Sequence, residues 1–297
     1  MKLTLALLAA LTPSLALADL SSIVDADTKA VELGTGLKFT EGPVWIPAEN
    51  RLVFSDIPNS VQMQWTAKDG VTKFQDVEAT NGNLLDLDGN LISCQHQGRN
   101  VVAWNKDGSA KVLTDKFDGK KFNSPNDVAV RSDGSLWFTD PSYGLKGRPQ
   151  EIEGKNVYRL APDGSVTMVY DGMDMPNGIA FSPDEKRLYI ACSGKVAKVR
   201  AFDVKADNTL SDMVFELDVR CDGMTIDTDG NIYTTAGGGI HVFDKTGAKL
   251  GVIPTPQHPA NVCFGGKDYD TLYVTARTGL YSIKTKKTGA KPKAAKW

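Results

Sequence analysis

The chain is short of the residues on which many hydrolytic relays depend, with three histidines and four cysteines in 297 residues. With so little histidine and no Gly-x-Ser-x-Gly elbow, a Ser-His-Asp system has little room. The cysteines, Cys94, Cys192, Cys221 and Cys263, are few for a disulfide-stapled scaffold, and their spacings match no zinc pattern. They read as buried thiols, and Cys221 draws notice because it precedes Asp222. No phosphate-binding loop is present; Gly237-Gly238-Gly239 lies between two strand-like runs and reads as a tight loop. Net charge is also missing: a balance of -2 and a pI near 6.0 give no field to attract nucleic acid or anionic lipid. Past the N-terminus no segment nears eighteen continuous apolar residues, so no membrane span is expected. Nothing in the composition argues for an oligomer, and a monomer is expected.

What is present starts with a leader. MKLTLALLAALTPSLALA combines Lys2, an apolar run of about nine residues and Ala16-Leu17-Ala18 before Asp19. Residues 1–18 therefore read as a signal peptide cleaved after Ala18, and a periplasmic or secreted protein is expected. The remainder, in a chain 41% hydrophobic, can bury a substantial core. Residues 19–290 read as a single domain, and 291–297, with Lys291, Lys293 and Lys296, as a solvated, frayed basic tail.

Within that domain one grammar recurs six times: a polar residue, usually a glycine or aspartate, a short apolar strand, an Asp-rich turn, and a second apolar strand. The starts are Glu41-Gly42 (EGPVWIPAENRLVFSD), Asn81-Gly82 (NGNLLDLDGNLISC), Asn126-Asp127 (NDVAVRSDGSLWFTD), Asn177-Gly178 (NGIAFSPDEKRLYIAC), Asp222-Gly223 (DGMTIDTDGNIYTT) and Asn261-Val262 (NVCFGGKDYDTLYVT). Third and fourth strands follow, as at Val101 to Trp104 and Lys111 to Leu113 across Lys106-Asp107-Gly108. Four short antiparallel strands per unit with regular turns is a propeller blade. The sixth unit lacks a fourth strand, whereas Val31 to Phe39 looks like a fourth strand with no blade of its own. The fold expected is all-β, a six-bladed β-propeller of four-stranded antiparallel blades whose ring is closed by the N-terminal strand.

The first strand of a propeller blade lines the central channel, so Glu41, Asn81, Asn126, Asn177, Asp222 and Asn261 should meet at one mouth. For one such pair, turn chemistry would be explanation enough. It does not explain Glu41, and two carboxylates held together repel unless something neutralises them. A divalent cation does so. Oxygen donors of this kind suit Ca²⁺ first, then Mg²⁺ or Mn²⁺, with Zn²⁺ or Fe²⁺ reachable through the carboxylates.

EGPVW, NSPNDVAVRSDGSLWFTDPSYG, PNGIAFSPDEKRLYIA, DGMTIDTDGNIY and LYVTARTGLYSI resemble the gluconolactonase, regucalcin and luciferin-regenerating-enzyme family over essentially the whole of the chain after the leader. The resemblance implies one divalent metal on the axis, held by the residues matching the family's motifs: Glu41, Asn126, Asn177 and Asp222. Asn81 and Asn261 are left as outer groups that hold water or substrate. Where animal members carry an arginine two residues before the third-unit asparagine to grip a sugar acid, this chain has Ser124, so their substrate contacts do not transfer.

The reaction expected is metal-assisted opening of a sugar-acid lactone, a small-molecule substrate, with Asp222 as the catalytic base. Chain direction brings the long loop Pro141 to Gly154 over the centre as a partial lid with Tyr143 and Arg148. It brings His96, Arg99, His258 and Arg277 to the same rim, as donors for a polyhydroxylated ring. A phosphotriesterase or another ester hydrolase could use the same ring, as could a binding propeller whose metal is structural.

Overall fold

The computed structural model describes residues 19–297, so the leader lies outside the described residues. Its architecture is set first by turns. In Asp107-Gly108-Ser109, Asp133-Gly134-Ser135 and Asp163-Gly164-Ser165 the Asp carboxylate accepts the backbone N–H two residues on, at 2.9 Å each time. The three glycines take φ of 82, 81 and 86°, the left-handed region that a side chain resists. Each triplet reverses the chain tightly and so fixes which residues of the flanking strands face each other.

Six four-stranded antiparallel sheets result. Their inner strands are Thr40–Ile46, Thr80–Leu85, Val128–Val130, Pro176–Phe181, Met224–Ile226 and Asn261–Gly265. In the first five blades the other three strands follow outward in chain order. The sixth takes its outermost strand, Val31–Gly34, from the N-terminus, paired antiparallel with Gly279–Lys284. The expected closure is present, and it covers an edge that would otherwise expose unpaired N–H and C=O groups. Apolar side chains fill the space between blades. Trp45 stacks on Tyr273 with centroids 5.2 Å apart across the seam of the first and sixth blades. Phe122, Phe138 and Tyr158 pack against one another at 5.0 to 5.5 Å in the third.

The glycines of the repeated Asn-Gly pairs are not turn residues. Gly82 and Gly178 lie inside strands, where a Cβ would stand 2.7 Å from Asn126 O and 2.4 Å from Asp222 O respectively. Adjacent inner strands meet backbone to backbone at these points: the N–H of Gly82 donates to Asn126 O and that of Gly178 to Asp222 O, both at 2.8 Å. β-Bulges between Glu41 and Val44, Thr80 and Asn83, and Pro176 and Ile179 accompany them. Such bulges re-aim the local side chains.

The C-terminal tail corrects the expectation of a frayed end. It crosses the channel mouth opposite the blade starts, above a cavity of about 220 Å³ lined by the far ends of the inner strands. Ala290 N–H donates to Ile226 O and Lys296 N–H to Leu87 O, each at 2.9 Å. Ala294 N–H reaches Ser132 Oγ at 3.1 Å, and Trp297 Nε1 reaches Asp86 O at 2.6 Å. The Asp-rich turns present carboxylates on this face, and Lys296 pairs with Asp88. Trp297 adds an apolar anchor beside Tyr269, with ring centroids at 6.3 Å. The lysines alone suggested solvent; the turn carboxylates and the terminal tryptophan decide otherwise. All four cysteines are unpaired, three buried and Cys263 half-buried.

Candidate metal centre

At the other mouth the blade starts converge. Glu41, Asn81, Asn126, Asn177 and Asp222 line one cavity of about 460 Å³. Glu41 and Asn126 are 3% exposed and Asn177 5%, so they are groups of a closed floor rather than of a surface. A repeated device holds them. A hydroxyl from one blade bonds a carbonyl at the start of the next: Ser55 to Asn81 O at 2.8 Å, Thr139 to Asn177 O at 2.7 Å, Ser193 to Cys221 O at 2.7 Å, and Thr235 to Ala260 O at 2.8 Å.

The electrostatics are those of buried carboxylates held close to one another. Burial, and then the negative charge of Asp222, push the Glu41 carboxyl well above the usual carboxylate range. Burial pushes Asp222 up to about 6, against the Asn177 amide and the Arg277 charge, which favour its ionised form. Asp127, immediately before the third inner strand, is pushed up to about 7 by burial and adds to the repulsion at Glu41. Among the described residues neither Glu41 nor Asp222 forms an ion pair, and the basic groups on the lining are His96, His258 and Arg220. Arg220, on the cavity wall, donates to Ser193 O at 2.6 Å and Gly194 O at 3.1 Å. Among the described residues no group of three His, Cys, Asp or Glu is placed to hold a metal. The convergent set is instead two carboxylates with amides, a hard-oxygen donor set that fits a divalent cation.

Two amide nitrogens face one imidazole: Asn81 Nδ2 lies 3.2 Å and Asn126 Nδ2 3.4 Å from His96 Nε2. Both can only donate, so Nε2 accepts. Burial, with the charges of Lys146 and Arg148, lowers His96 to about 4 and keeps the ring neutral. Asn177 Nδ2 donates to Ser193 Oγ at 3.1 Å. Tyr143, 41% exposed, also lines the cavity beside Asn177 and Ser193; burial and the charge of Asp222 raise its hydroxyl above the usual value.

Of the other rim candidates, His258 lines the cavity and its imidazole is held below its ordinary value by burial and the Arg277 charge. Arg277 lies outside the lining and stacks over Phe39 at 5.6 Å, acting on the site through its charge. Three expectations need correction. Arg99 is buried, its guanidinium donating to Phe122 O and Lys121 O and pairing with Glu151 at 3.1 Å, so it ties the third-blade loop down. Arg148 donates to the carbonyls of Gln97, His96 and Gly144 at 2.7, 2.8 and 2.7 Å and is a strut. Asn261 sits outside the cavity lining; its Oδ1 accepts from Val262 N–H at 2.8 Å, and its amide favours the charged forms of Glu41 and Asp127. Ser124 donates to Pro141 O at 2.6 Å and accepts from Gly144 N–H at 3.0 Å, which roots the same loop. The lid is thus a braced wall. Sequence reasoning missed Phe39, Ile57, Ser193 and Arg220 on the lining.

The family described as SMP-30/Gluconolactonase/LRE-like region matches residues 39–278. A gluconolactonase of Zymomonas mobilis subsp. mobilis is 31% identical, covering 91% of this chain and 85% of its own length. A pentonolactonase of Haloferax volcanii is 29% identical over 82% of this chain and 84% of its own. Among solved structures, a gluconolactonase from Xanthomonas campestris superposes with a TM-score of 0.84 at 34% identity, covering 90% of this chain and 92% of that one.

Proposed function

We propose that this chain, which belongs to the SMP-30/gluconolactonase/LRE-like family, hydrolyses the internal ester of a sugar lactone with the help of one divalent cation. The observation that carries the reading is the meeting of Glu41 and Asp222 with Asn126 and Asn177 on the floor of a cavity, where among the described residues neither carboxylate forms an ion pair and only the Arg277 charge reaches Asp222. These four residues would hold the cation. When bound, it supplies Lewis acidity to the lactone carbonyl and stabilises the negative charge that develops on that oxygen.

The chain's own groups do the rest. Asp222 takes a proton from the attacking water as the new C–O bond forms. The ring C–O bond then breaks, and the proton passes from Asp222 to the departing alkoxide, leaving a hydroxy acid that releases its own proton to solvent. Neutral His96 keeps the amides of Asn81 and Asn126 turned toward it, and so sets the orientation of the floor. Tyr143, His258 and Arg220 offer hydrogen-bonding groups to the hydroxyls of a sugar ring, whereas Phe39 and Ile57 are the apolar part of the wall. That balance supports a sugar lactone over an organophosphate, which favours apolar walls. The gluconolactonase and pentonolactonase relatives support the same class and leave the size of the sugar open. Ca²⁺ is the ion that the donor set favours. The leader-like pattern of residues 1–18 supports a reaction in the periplasm or outside the cell.

The test is acid release during lactone opening, measured after stripping divalent ions and again after restoring Ca²⁺, Mg²⁺, Mn²⁺ and Zn²⁺ one at a time. Activity should vanish on stripping and return with a suitable ion. Replacing Asp222 by Asn should lower kcat by about 10²–10⁴-fold. Full activity in protein shown by elemental analysis to be metal-free would end the proposal.

A further inference from the structure

Beside the main cavity lies a second one of about 260 Å³ that shares Ile57 and His96 with it. The lactonase reading leaves it unused. Its walls are the His96-Gln97 segment of the second blade and the Gly144 to Arg148 stretch of the third-blade loop. Arg148 braces them by donating to His96 O, Gln97 O and Gly144 O. Gly144 marks how closely they meet, since a Cβ there would stand 2.6 Å from His96 Cβ and 2.8 Å from Ser124 Cβ.

No carboxylate lines this pocket. Arg148 is spent on carbonyls, whereas Lys146, on the same wall, has no ion pair or hydrogen bond among the described residues. Lys146 also sits at φ 45°, a left-handed conformation that a lysine adopts at a cost and that calls for a reason. An exposed, free ammonium on a braced wall, next to the main cavity and with no carboxylate on the lining, is placed to attract an anion.

We propose that this pocket is a substrate subsite for an anionic substituent, a phosphate or a carboxylate, borne by the lactone away from its reacting carbonyl, with Lys146 as the recognising cation. The inference rests on the lactonase reading and narrows it to acidic or phosphorylated sugar lactones.

The experiment compares glucono-1,5-lactone, its 6-phosphate and glucaro-1,4-lactone on the wild-type protein and on Lys146→Met and Lys146→Glu. The wild type should favour at least one anionic lactone in kcat/KM, the preference falling as ionic strength rises. Which of the two it favours separates phosphate from carboxylate recognition. Lys146→Glu should raise KM for that lactone by about tenfold or more, leave its kcat within about twofold, and leave the neutral lactone unchanged. Equal preference in the wild type, or a change shared by neutral and anionic lactones in the variants, overturns the subsite. If the wild type opens no lactone, the reaction assignment fails instead. The subsite is then read by calorimetric titration with 6-phosphogluconate, where equal affinity in wild type and Lys146→Glu overturns it.

Discussion

Replacing Gly178 by alanine should break the floor of the site through backbone contact alone. The added Cβ would stand 2.4 Å from Asp222 O, 3.0 Å from Gly223 Cα and 3.3 Å from Asp222 C. Carbon and oxygen tolerate little below about 3.4 Å, so the inner strands of the fourth and fifth blades must part by roughly 1 Å. Overpacking of that kind costs about 1–3 kcal/mol. The shift also loosens the 2.8 Å bond from Gly178 N–H to Asp222 O and leaves both groups buried, which costs about 1–3 kcal/mol more. Alanine's smaller unfolded-state entropy returns about 0.4–1 kcal/mol. The net loss is about 1–5.5 kcal/mol, a fall in the unfolding midpoint of roughly 2–10 °C for a chain of this size. The natural control is Gly237→Ala: no atom lies within 4 Å of its Cβ position and its φ lies outside the left-handed range, so its midpoint should move by no more than a degree or two. Circular dichroism melts of both variants, with calorimetric Ca²⁺ titrations, read the two consequences separately. Because Asn177 and Asp222 flank the displaced contact, Gly178→Ala should also bind Ca²⁺ at least about tenfold more weakly. Equal melting shifts in the two variants, or unchanged Ca²⁺ affinity in Gly178→Ala, would refute the claim that these glycines exist for close approach at the site.

Truncation after Gly289 removes Trp297 and the Lys296–Asp88 pair, and should cost about 2–4 kcal/mol of stability while leaving kcat per folded molecule unchanged, because the strap lies at the opposite mouth. A truncated chain with an unaltered melting curve would show that the strap is not part of the fold's closure. Asp140, which accepts N–H from Asn123 at 2.8 Å and Ser124 at 2.7 Å, is pushed up to about 7 by burial, above its ordinary 3.8. Its folded form therefore keeps a proton that the unfolded form loses, so its contribution to stability is largest below about 4 and declines as pH rises to about 7. The stability difference between wild type and Asp140→Asn should shrink by up to about 1.4 kcal/mol per pH unit across that window, measured by urea unfolding from pH 4 to 8, and a constant gap would contradict it. Tyr143→Phe should raise KM for a neutral sugar lactone a few-fold with kcat nearly unchanged, and a loss confined to kcat would place the hydroxyl in the chemistry instead.

What was legible in the sequence is what is decided locally or by counting. Asp-Gly-Ser triplets fold by their own side-chain contacts, so the blades could be read one at a time. The missing fourth strand of the sixth unit and the spare strand before the first then required each other. The ring of starts was legible for a related reason: topology, not packing detail, carries Glu41, Asn126, Asn177 and Asp222 to one cavity. The rim arginines failed because chain direction says which mouth a side chain reaches but not which partner takes its hydrogen bonds. Arg99 and Arg148 end on backbone carbonyls of other loops, and no residue pattern announces a carbonyl that needs a donor. Arg220 was missed because it lies between blades, outside the repeat.

Asp127 is the informative case, since its signal was present and pointed to packing. In four of the six repeats a glycine follows the ring residue, and the third has Asp127 there. The structure shows why neighbours must differ: a Cβ on Gly82 would lie 2.5 Å from Asp127 Oδ1, so the second repeat is empty where the third is filled. The fifth and sixth repeat the arrangement with Ala260 in the place of Asn126 and Asn261 in that of Asp127, because Gly223 N–H donates to Ala260 O and a Cβ on Gly223 would lie 2.2 Å from Asn261 Cγ. Each of the four glycines that follow a ring residue is therefore half of a pair whose other half is a polar side chain or a carbonyl from the next blade. It follows that enlarging one member cannot be rescued at its own position, only by shrinking its partner. Gly223→Ala combined with Asn261→Gly should recover stability that Gly223→Ala alone loses, whereas Gly178→Ala, which meets a backbone oxygen, should have no such rescue.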